Sequence, residues 1–231
     1  MRIGSIIDVS LVDVPGIPVA VIFTAGCNMD CPYCQNGELI ALDSGVEMEV
    51  QEIVQKAQGN LTEGFCITGG EPTIQSDLPD LLELLRNDNP AHINLNTQGT
   101  VPKKLQQCIP FLDSIWFDVK APPERYQKVA RTKSNPWPRV QQSIEMLLKS
   151  DVKFWPRTTY AGGLMSPRDI KIILQILSQL GFKGEYVVQN YVESSGVRSS
   201  ETSLLKRPNR EEIEALQEST PRGITLRLEW R

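Results

Sequence analysis

The sequence predicts an α/β fold in which helices cover a mainly parallel sheet. Short apolar runs alternate along the chain with longer segments of helical period, the pattern of successive βαβ units. The chain has 231 residues, 40% of them hydrophobic and 23% charged, which is typical of a globular protein. This length fits one or two domains, and we expect a single domain over residues 1–231.

The elements follow in order from these runs. Seven strands are predicted, at Val19–Thr24, Gly64–Thr68, Ala91–Asn96, Ser114–Lys120, Val152–Thr158, Glu185–Gln189 and Ile224–Trp230. Helices are predicted between them, over 47–58, 76–87, 101–107, 137–149, 167–180 and 209–219. The fifth helix has the clearest start, because Ser166 can cap it and Pro167 fits its first turn. The sixth opens with Asn209 three residues before Glu212, which resembles a capping box.

Right-handed connections between such units produce either a doubly wound sheet or a partial barrel. In both arrangements, functional sites form at the carboxyl ends of the strands. The residues that follow each strand are therefore the candidates for a site. The segment 191–210 has no clear period, and we expect it to be a surface loop.

Composition excludes several classes of function. Lys and Arg number 24 against 28 Asp and Glu, a net charge of −4, so nucleic acid is not an expected partner. His92 is the single histidine, which excludes a multi-histidine metal site. The N-terminus lacks the apolar stretch of a signal peptide, and the longest core-like run, Val19–Phe23, is too short to span a membrane. We expect a cytoplasmic protein without a membrane partner.

Three cysteines carry the strongest signal. Cys27, Cys31 and Cys34 form a C-x3-C-x2-C pattern directly after the first predicted strand. In a reducing compartment such closely spaced thiols indicate a metal site rather than disulfides. Zinc is one candidate, but a structural zinc site needs four ligands. Three thiolates also suit a four-iron cluster whose fourth iron is open to another ligand.

This pattern resembles that of the radical S-adenosylmethionine (SAM) superfamily, in which an aromatic residue such as Tyr33 precedes the third cysteine. The resemblance implies a partial (βα)6 TIM-like barrel with parallel strands, with a core at about 17–190 and a C-terminal extension at about 191–231 that adds a further strand. It also implies a [4Fe-4S] cluster whose open iron binds SAM. One electron then cleaves SAM to methionine and a 5′-deoxyadenosyl radical.

Further motifs match SAM-binding positions of this superfamily. Gly69, Gly70 and Glu71 match a GGE motif that receives the amino group of SAM, although a Gly-Gly pair alone indicates only a tight turn. Thr97 lies where activating enzymes carry a D-T-N-G sequence. Asn96 replaces the acid of that sequence, which removes the carboxylate on which a cation site would be built.

The later strands supply the other predicted contacts with SAM. Asp118 and Lys120 match a D-x-K motif, and Arg157 matches a family arginine. Gln189 stands at the end of the sixth predicted strand, where some relatives contact adenine. The resemblance also implies contacts from Gln35 and Asn36, which follow the third cysteine. A surface ion pair is the simpler interpretation of Asp118 and Lys120, but charges at the end of a core strand usually serve a ligand or each other.

The remaining cysteines and the histidine have simpler interpretations. Cys66 lies in an apolar strand, and Cys108 ends a helix, so both are expected to be buried free thiols. His92 is at the start of its strand, away from the expected site, and a structural role is predicted. The chain therefore has too few cysteines for a second cluster.

The subclass rests on residues 10–16, which resemble the S-x-V-D-G-P-G opening of glycyl-radical enzyme activases, with Val14 in place of a glycine. The resemblance implies hydrogen abstraction from a glycine of a partner enzyme, with anaerobic ribonucleoside-triphosphate reductase as the first candidate and pyruvate formate-lyase as the second. It also implies an electron donor, flavodoxin or ferredoxin. Asp13–Gly16 and Tyr191–Arg210 are the predicted partner contacts.

Two alternatives stay open at this point. One is a small-molecule radical SAM enzyme similar to 7-carboxy-7-deazaguanine synthase, which would need a closed pocket matched to its substrate. The other is an iron-sulfur or zinc binding module without catalysis. The series of GGE, D-x-K and Arg157 motifs favours an enzyme over such a module.

Overall fold

The computed structural model describes residues 1–59, 61–88 and 91–230; four residues of the predicted domain 1–231 lie outside this description. The strands are β1 (Arg2–Ser10), β2 (Val19–Thr24), β3 (Val46–Glu47), β4 (Gly64–Gly69), β5 (His92–Thr97), β6 (Ser114–Asp118), β7 (Lys153–Tyr160), β8 (Gly184–Asn190) and β9 (Ile224–Glu229). The helices are α1 (Val50–Ala57), α2 (Leu78–Asp88), α3 (Pro102–Cys108), α4 (Pro123–Ala130), α5 (Trp137–Leu147), α6 (Pro167–Gln179), α7 (Ser199–Thr202) and α8 (Arg210–Glu214).

The described strands form one sheet in the order β3-β1-β2-β4-β5-β6-β7-β8-β9. β2 and β4 through β9 are parallel, whereas β1 runs antiparallel to both β2 and β3. β3 and β9 are its edges, so the described sheet is not closed. The predicted class, an α/β fold on a mainly parallel sheet with an extra C-terminal strand, is confirmed.

The helix with the clearest predicted start, over 167–180, is also confirmed. The backbone N–H of Ser166 donates to the carboxylate of Asp169 at 2.7 Å, which forms a capping box with Pro167 in the first turn of α6. The buried face of the helix packs on the sheet through Ile170, Ile173, Leu174 and Leu177. α8 is shorter than predicted, because its last part, Ala215–Ser219, is a 3-10 helix.

Among the described strands and α-helices, four were not predicted: β1, β3, α4 and α7. β1 is difficult to recognise because most of its residues are at least partly exposed, and only Ile3 is buried. The Pro122-Pro123 pair suggests a break in the chain. Proline is tolerated at the first position of a helix, however, and α4 begins there with Tyr126, Val129 and Ala130 on its buried side.

The loop between β1 and β2 closes the amino end of the sheet. Val14 is fully buried there against Val19, Val21 and Cys66. The indole N–H of Trp116 donates to the carbonyl of Asp13 at 3.1 Å. The loop therefore fills the interior at the end opposite the carboxyl ends of the parallel strands. Among the described residues, no helix is both long and apolar enough to cross a membrane.

Candidate active site

All fourteen predicted site residues line one cavity at the carboxyl ends of the strands. They lie on the loop after β2, within β7, and at or just after the carboxyl ends of β4, β5, β6 and β8. Because carboxyl ends of parallel strands meet at one edge of a sheet, residues far apart in the chain converge here. The roles predicted for these residues remain predictions.

The three cysteines lie on a loop that follows β2, which we call the cysteine loop (residues 25–40). Backbone hydrogen bonds fix its shape, from Cys27 N–H to the Ile40 carbonyl at 3.0 Å and from Cys34 N–H to the Cys31 carbonyl at 3.1 Å. The Asp30 N–H also donates to the Ala130 carbonyl at 3.0 Å. The unpredicted helix α4 therefore positions the loop.

The three cysteines are free thiols beside the cavity. Burial raises the pKa of Cys27 to about 12 and that of Cys31 to about 11, while the positive charge of Lys120 opposes the rise. Cysteine binds metal as thiolate, so metal binding here must displace protons. Elsewhere, Cys66 and Cys108 are buried as predicted, and Cys66 accepts a hydrogen bond from the amide of Asn94.

The three free thiols of the cysteine loop match the number of protein ligands that a four-iron cluster with one open iron needs. In the described part of the chain, no three Cys, His, Asp or Glu side chains are grouped as ligands of one metal ion. The three cysteines instead line a shared cavity, beside a lysine that can offset the negative charge of thiolates. Cys27, Cys31 and Cys34 could therefore hold three irons of a four-iron cluster, with the cavity available to a ligand of the fourth.

The two glycines after β4 are required by close backbone packing. Gly69 has a φ of 115°, and a Cβ on it would lie 2.2 Å from the carbonyl oxygen of Thr24. A Cβ on Gly70 would lie 2.0 Å from the carbonyl oxygen of Gly26. A side chain at Gly69 would push β4 away from the end of β2, and one at Gly70 would push it away from the cysteine loop. The simpler interpretation of the Gly-Gly pair, a tight backbone, is thus correct. Both glycines also line the cavity.

Glu71 is a buried hub between the ends of β4 and β5. One carboxylate oxygen accepts hydrogen bonds from the backbone and hydroxyl of Thr73 and, at 2.6 Å, from the hydroxyl of Thr97. The other oxygen accepts the Gln98 N–H at 3.0 Å. Burial raises the pKa of Glu71, while these donors stabilise its charged form. Three donors saturate the first oxygen, so the second has the spare acceptor capacity for a ligand.

A buried charge cluster forms at the ends of β6 and β7. The Asp118 carboxylate pairs with Lys120 at 3.1 Å and with Arg157 at 2.8 Å, and these side chains are 16% to 19% exposed. Burial alone would raise the pKa of Asp118, but Arg157 and Lys120 lower it to about 2. The Arg157 guanidinium also lies 5.2 Å from the ring centre of Trp116. One anion against two cations leaves a net positive charge in the cavity wall, which favours an anionic ligand group.

The remaining predicted residues complete the wall. Tyr33 is buried beside Cys31 and lines the cavity. Gln35 donates weakly to the Val192 carbonyl at 3.4 Å, and Gln189 donates to the hydroxyl of Thr159 at 2.7 Å. Asn36 lines the cavity between them and the cysteines.

The sequence did not single out every lining residue. Gln98 is buried; its amide nitrogen donates to the Asn28 carbonyl oxygen at 2.7 Å, and its own amide oxygen has no partner in the described structure. Glu229 lines the cavity from β9. Gln98 could have been found, because it occupies the amide position of the D-T-N-G sequence. Glu229 could not, since no motif marks the last strand.

Two expectations about flanking residues need correction. Asp13–Gly16 lies at the amino end of the sheet, whereas the cavity lies at the carboxyl ends of the strands. A partner bound at the cavity would therefore not contact this segment. The segment 191–210 is only partly a surface loop: more than half of its residues are exposed, but Val197 and Leu205 are buried and α7 lies within it. By contrast, His92 has the predicted structural place, with its ring nitrogen 2.7 Å from the hydroxyl of Ser114.

Asn96 offers no carboxylate for a cation. Its amide oxygen accepts from Asn94 at 2.8 Å, and its amide nitrogen donates to the hydroxyl of Thr68 at 3.2 Å. Both polar ends of the side chain are thus used within the sheet interior.

Comparison with known proteins gives the family. The sequence model of the Radical SAM superfamily matches residues 21–177, a range that includes the cysteine loop and the motifs up to Arg157. The match covers more than half of the chain.

Three relatives differ in how much of the chain they match. A Methanocaldococcus jannaschii protein, assigned by its name to the glycyl-radical enzyme activating enzymes, is 27% identical over 93% of this chain and 89% of its own length. A pyruvate formate-lyase-activating enzyme of Clostridium pasteurianum is 29% identical over 52% of each chain. A 7-carboxy-7-deazaguanine synthase of Methanospirillum hungatei is 38% identical, but over 46% of this chain and 44% of its own.

Solved structures support the fold. Streptococcus suis SuiB bound to the precursor peptide SuiA has a TM-score of 0.68 at 16% identity, over 90% of this chain and 48% of SuiB. A domain of a pyruvate-formate lyase-activating enzyme from Bacteroides vulgatus has a TM-score of 0.56 at 15% identity, over 72% of this chain and 98% of that domain.

Proposed function

The chain belongs to the radical SAM superfamily, and we propose that it activates a glycyl-radical enzyme. In this proposal it cleaves SAM reductively, and the 5′-deoxyadenosyl radical abstracts a hydrogen atom from a backbone glycine of the partner. The products are methionine, 5′-deoxyadenosine and a glycyl radical on the partner. Anaerobic ribonucleoside-triphosphate reductase is the first candidate partner and pyruvate formate-lyase the second.

The observation that carries this proposal is how much of the chain matches a relative named as an activating enzyme. The relative named as an activating enzyme matches 93% of this chain, including the C-terminal part after the superfamily match. The 7-carboxy-7-deazaguanine synthase of M. hungatei matches less than half of it. Agreement over 93% of the chain favours the activase, because it extends beyond the cysteine and GGE motifs that the two subclasses share.

We assign the cluster to Cys27, Cys31 and Cys34. When bound, a [4Fe-4S] cluster supplies the electron that breaks a carbon–sulfur bond of SAM. The protein holds this chemistry in a cavity at the carboxyl ends of the strands, where Lys120 offsets the charge of the thiolates. The five free cysteines fit a reducing compartment, so we place the protein in the cytoplasm.

We assign the groups of SAM by charge. The carboxylate suits the wall of Asp118, Lys120 and Arg157, since it would balance the excess positive charge. The amino group suits the opposite side, where Gly69, Gly70 and the spare oxygen of Glu71 offer acceptors.

The remaining contacts of SAM are assigned by position. We assign the hydroxyl groups and adenine to Tyr33, Gln35, Asn36, Thr97 and Gln189, which line the rest of the cavity.

The partner would approach beside the cavity. Residues 193–195 are exposed and directly follow Val192, which lines the cavity, so this part of the segment 191–210 is the proposed contact. Asp13–Gly16 is no longer assigned to the partner, because it lies at the other end of the sheet.

The test uses protein with a reconstituted cluster, without oxygen, together with each candidate partner. We expect a carbon-centred doublet on the partner by electron paramagnetic resonance and one 5′-deoxyadenosine per radical. Cys31→Ala should abolish the signal, whereas Cys66→Ala, a matched change of a buried thiol outside the cavity, should retain it. If neither partner gains a radical and a purine-like metabolite is instead consumed in step with SAM cleavage, the small-molecule alternative is correct.

A further inference from the structure

The outer side of the cysteine loop forms a second, open groove, which we call the loop groove. It is lined by residues 27–30 of the cysteine loop, by Ile40 and Thr100, and by residues of the segment 131–139. We propose that the loop groove docks an acidic one-electron carrier protein. This inference rests on the proposed function, which requires an external electron.

Position is the first argument. Cys27 and Met29 line both the loop groove and the main cavity, so the cysteine loop is the wall between the two. Cys27 is also a predicted ligand of the cluster. A carrier seated in the loop groove would therefore be separated from the redox centre by one layer of chain.

Charge is the second argument. The lining contains Arg131, Lys133 and Arg139, although the whole chain has a net charge of −4. The lining acid, Asp30, is paired with Arg198 at 2.6 Å, so its charge is offset. A local positive surface on an acidic protein attracts an acidic partner and raises the rate of encounter.

Availability of the charges is the third argument. Arg131 is committed to Glu201 through two hydrogen bonds of 2.6 and 2.7 Å. Lys133 and Arg139 are exposed, and neither forms an ion pair within the described ranges of the chain. These two cations are the ones that a partner can use.

The reaction defines the occupant as a redox protein. Each cleavage consumes one electron from the reduced carrier; as the carbon–sulfur bond of SAM breaks, this electron ends in a lone pair on the methionine sulfur and one bonding electron stays on the 5′ carbon. That bond yields methionine and the 5′-deoxyadenosyl radical, and no proton is transferred. The described chain has no internal source for this electron, because Cys66 and Cys108 are single buried thiols. An acidic flavodoxin or ferredoxin has the required charge and one-electron chemistry.

The experiment reverses the two free charges. Lys133→Glu with Arg139→Glu is compared with Lys149→Glu and Lys183→Glu, which make the same change in net charge at exposed lysines near the amino end of the sheet. The rate of cluster reduction is measured by rapid mixing with a reduced acidic flavodoxin and, separately, with dithionite. SAM cleavage is measured in the same samples.

We expect the groove variant to react with flavodoxin about tenfold more slowly at low salt, which is within the range of electrostatic steering. The difference should shrink as salt is added, because salt screens exposed charges. Reduction by dithionite should be unchanged, and the control variant should behave like the wild type. Equal flavodoxin rates in all three proteins would overturn the docking proposal, as would an equal loss with dithionite.

These readouts need no glycyl-radical enzyme. A protein that takes electrons through the loop groove but activates no partner would contradict the proposed function alone. A protein that activates its partner while the groove variant stays as fast as wild type would contradict the docking surface alone.

Discussion

At the scale of single residues, the charges around Asp118 should separate SAM binding from cluster formation. Arg157→Ala or Lys120→Ala leaves Asp118 with one cationic partner, so the fold and cluster should persist. In the proposed assignment each change removes a charged hydrogen bond to the SAM carboxylate, which is worth about 1.5–3 kcal/mol. We expect SAM affinity to fall roughly 10- to 150-fold, measured by titration of the spectroscopic signal of the cluster.

Lys153→Ala is the matched control for this prediction. Lys153 is a cation on the same strand as Arg157 but at its opposite, exposed end. Its removal should leave SAM affinity unchanged. If Arg157→Ala and Lys120→Ala both bind SAM with wild-type affinity, the D-x-K and arginine motifs form only structural ion pairs.

Gln98 supplies a second prediction at this scale. Its buried amide oxygen has no partner among the residues that the structure describes, and a buried acceptor without a donor is costly. A bound ligand with an N–H or O–H group would satisfy it. Gln98→Ala should therefore weaken SAM binding by about 0.5–1.5 kcal/mol, in the same titration.

Gln106→Ala, a change of an exposed glutamine on α3, should have no effect. If Gln98→Ala and Gln106→Ala bind SAM equally well, the Gln98 amide oxygen does not contact the ligand.

The sequence could name most of the lining residues because motifs mark the ends of successive strands. It could not show how Glu71 is used, since the donors to its carboxylate come from Thr73, Thr97 and Gln98 in three-dimensional contact. Residues such as Glu229, which reach the cavity only through the position of β9, carry no local signal.

At the scale of elements, the segment after β8 acts as a brace on the cysteine loop. The Gly37 N–H donates to the Gly196 carbonyl at 3.0 Å, and Arg198 pairs with Asp30 at 2.6 Å. A Cβ on Gly196 would lie 1.7 Å from the carbonyl oxygen of Gln35. This contact leaves no room for a side chain.

Gly196→Ala should therefore displace the segment and loosen the cysteine loop, a local cost of about 1–3 kcal/mol for overpacking. We expect iron to be released to a chelator several-fold faster than from the wild type, followed by absorbance without oxygen. Gly59→Ala is the control, since its Cβ would meet no atom closer than 3.8 Å. Equal release rates in the two variants would show that the brace does not hold the loop.

Two parts of the fold, the segment 191–210 and α4, were not predicted correctly from the sequence. The prediction of a surface loop over 191–210 fits its exposed residues but missed α7 and the buried Val197 and Leu205, because the buried residues follow no regular period. α4 was missed because the Pro122-Pro123 pair stands at its start, although the carbonyl of Ala130 at its end accepts the N–H of Asp30. Periodicity detects elements that bury a regular face, as in α6, and fails for short segments ordered by tertiary contacts.

At the scale of the whole molecule, the residues that line the cavity and the buried residues of the loop before β2 lie at opposite ends of the sheet. Its carboxyl ends carry the cavity, whereas its amino end is filled by the loop before β2. The stack of Trp116 on Trp155, with ring centres 4.9 Å apart, fills part of the sheet interior. Changes at the amino end should therefore alter folding without altering SAM binding.

Val14→Ala tests this separation. Val14 is fully buried against Val19, Val21 and Cys66, so loss of its methyl groups should lower the free energy of unfolding by about 1.5–3 kcal/mol. Val12→Ala, at a residue that is 72% exposed, should change it by less than about 0.5 kcal/mol. Both values come from urea unfolding of the cluster-free protein without oxygen. SAM affinity of the reconstituted protein should be the same in both variants, because neither residue reaches the cavity. A loss of SAM affinity in Val14→Ala that matches its loss of stability would mean that the two ends of the sheet are coupled.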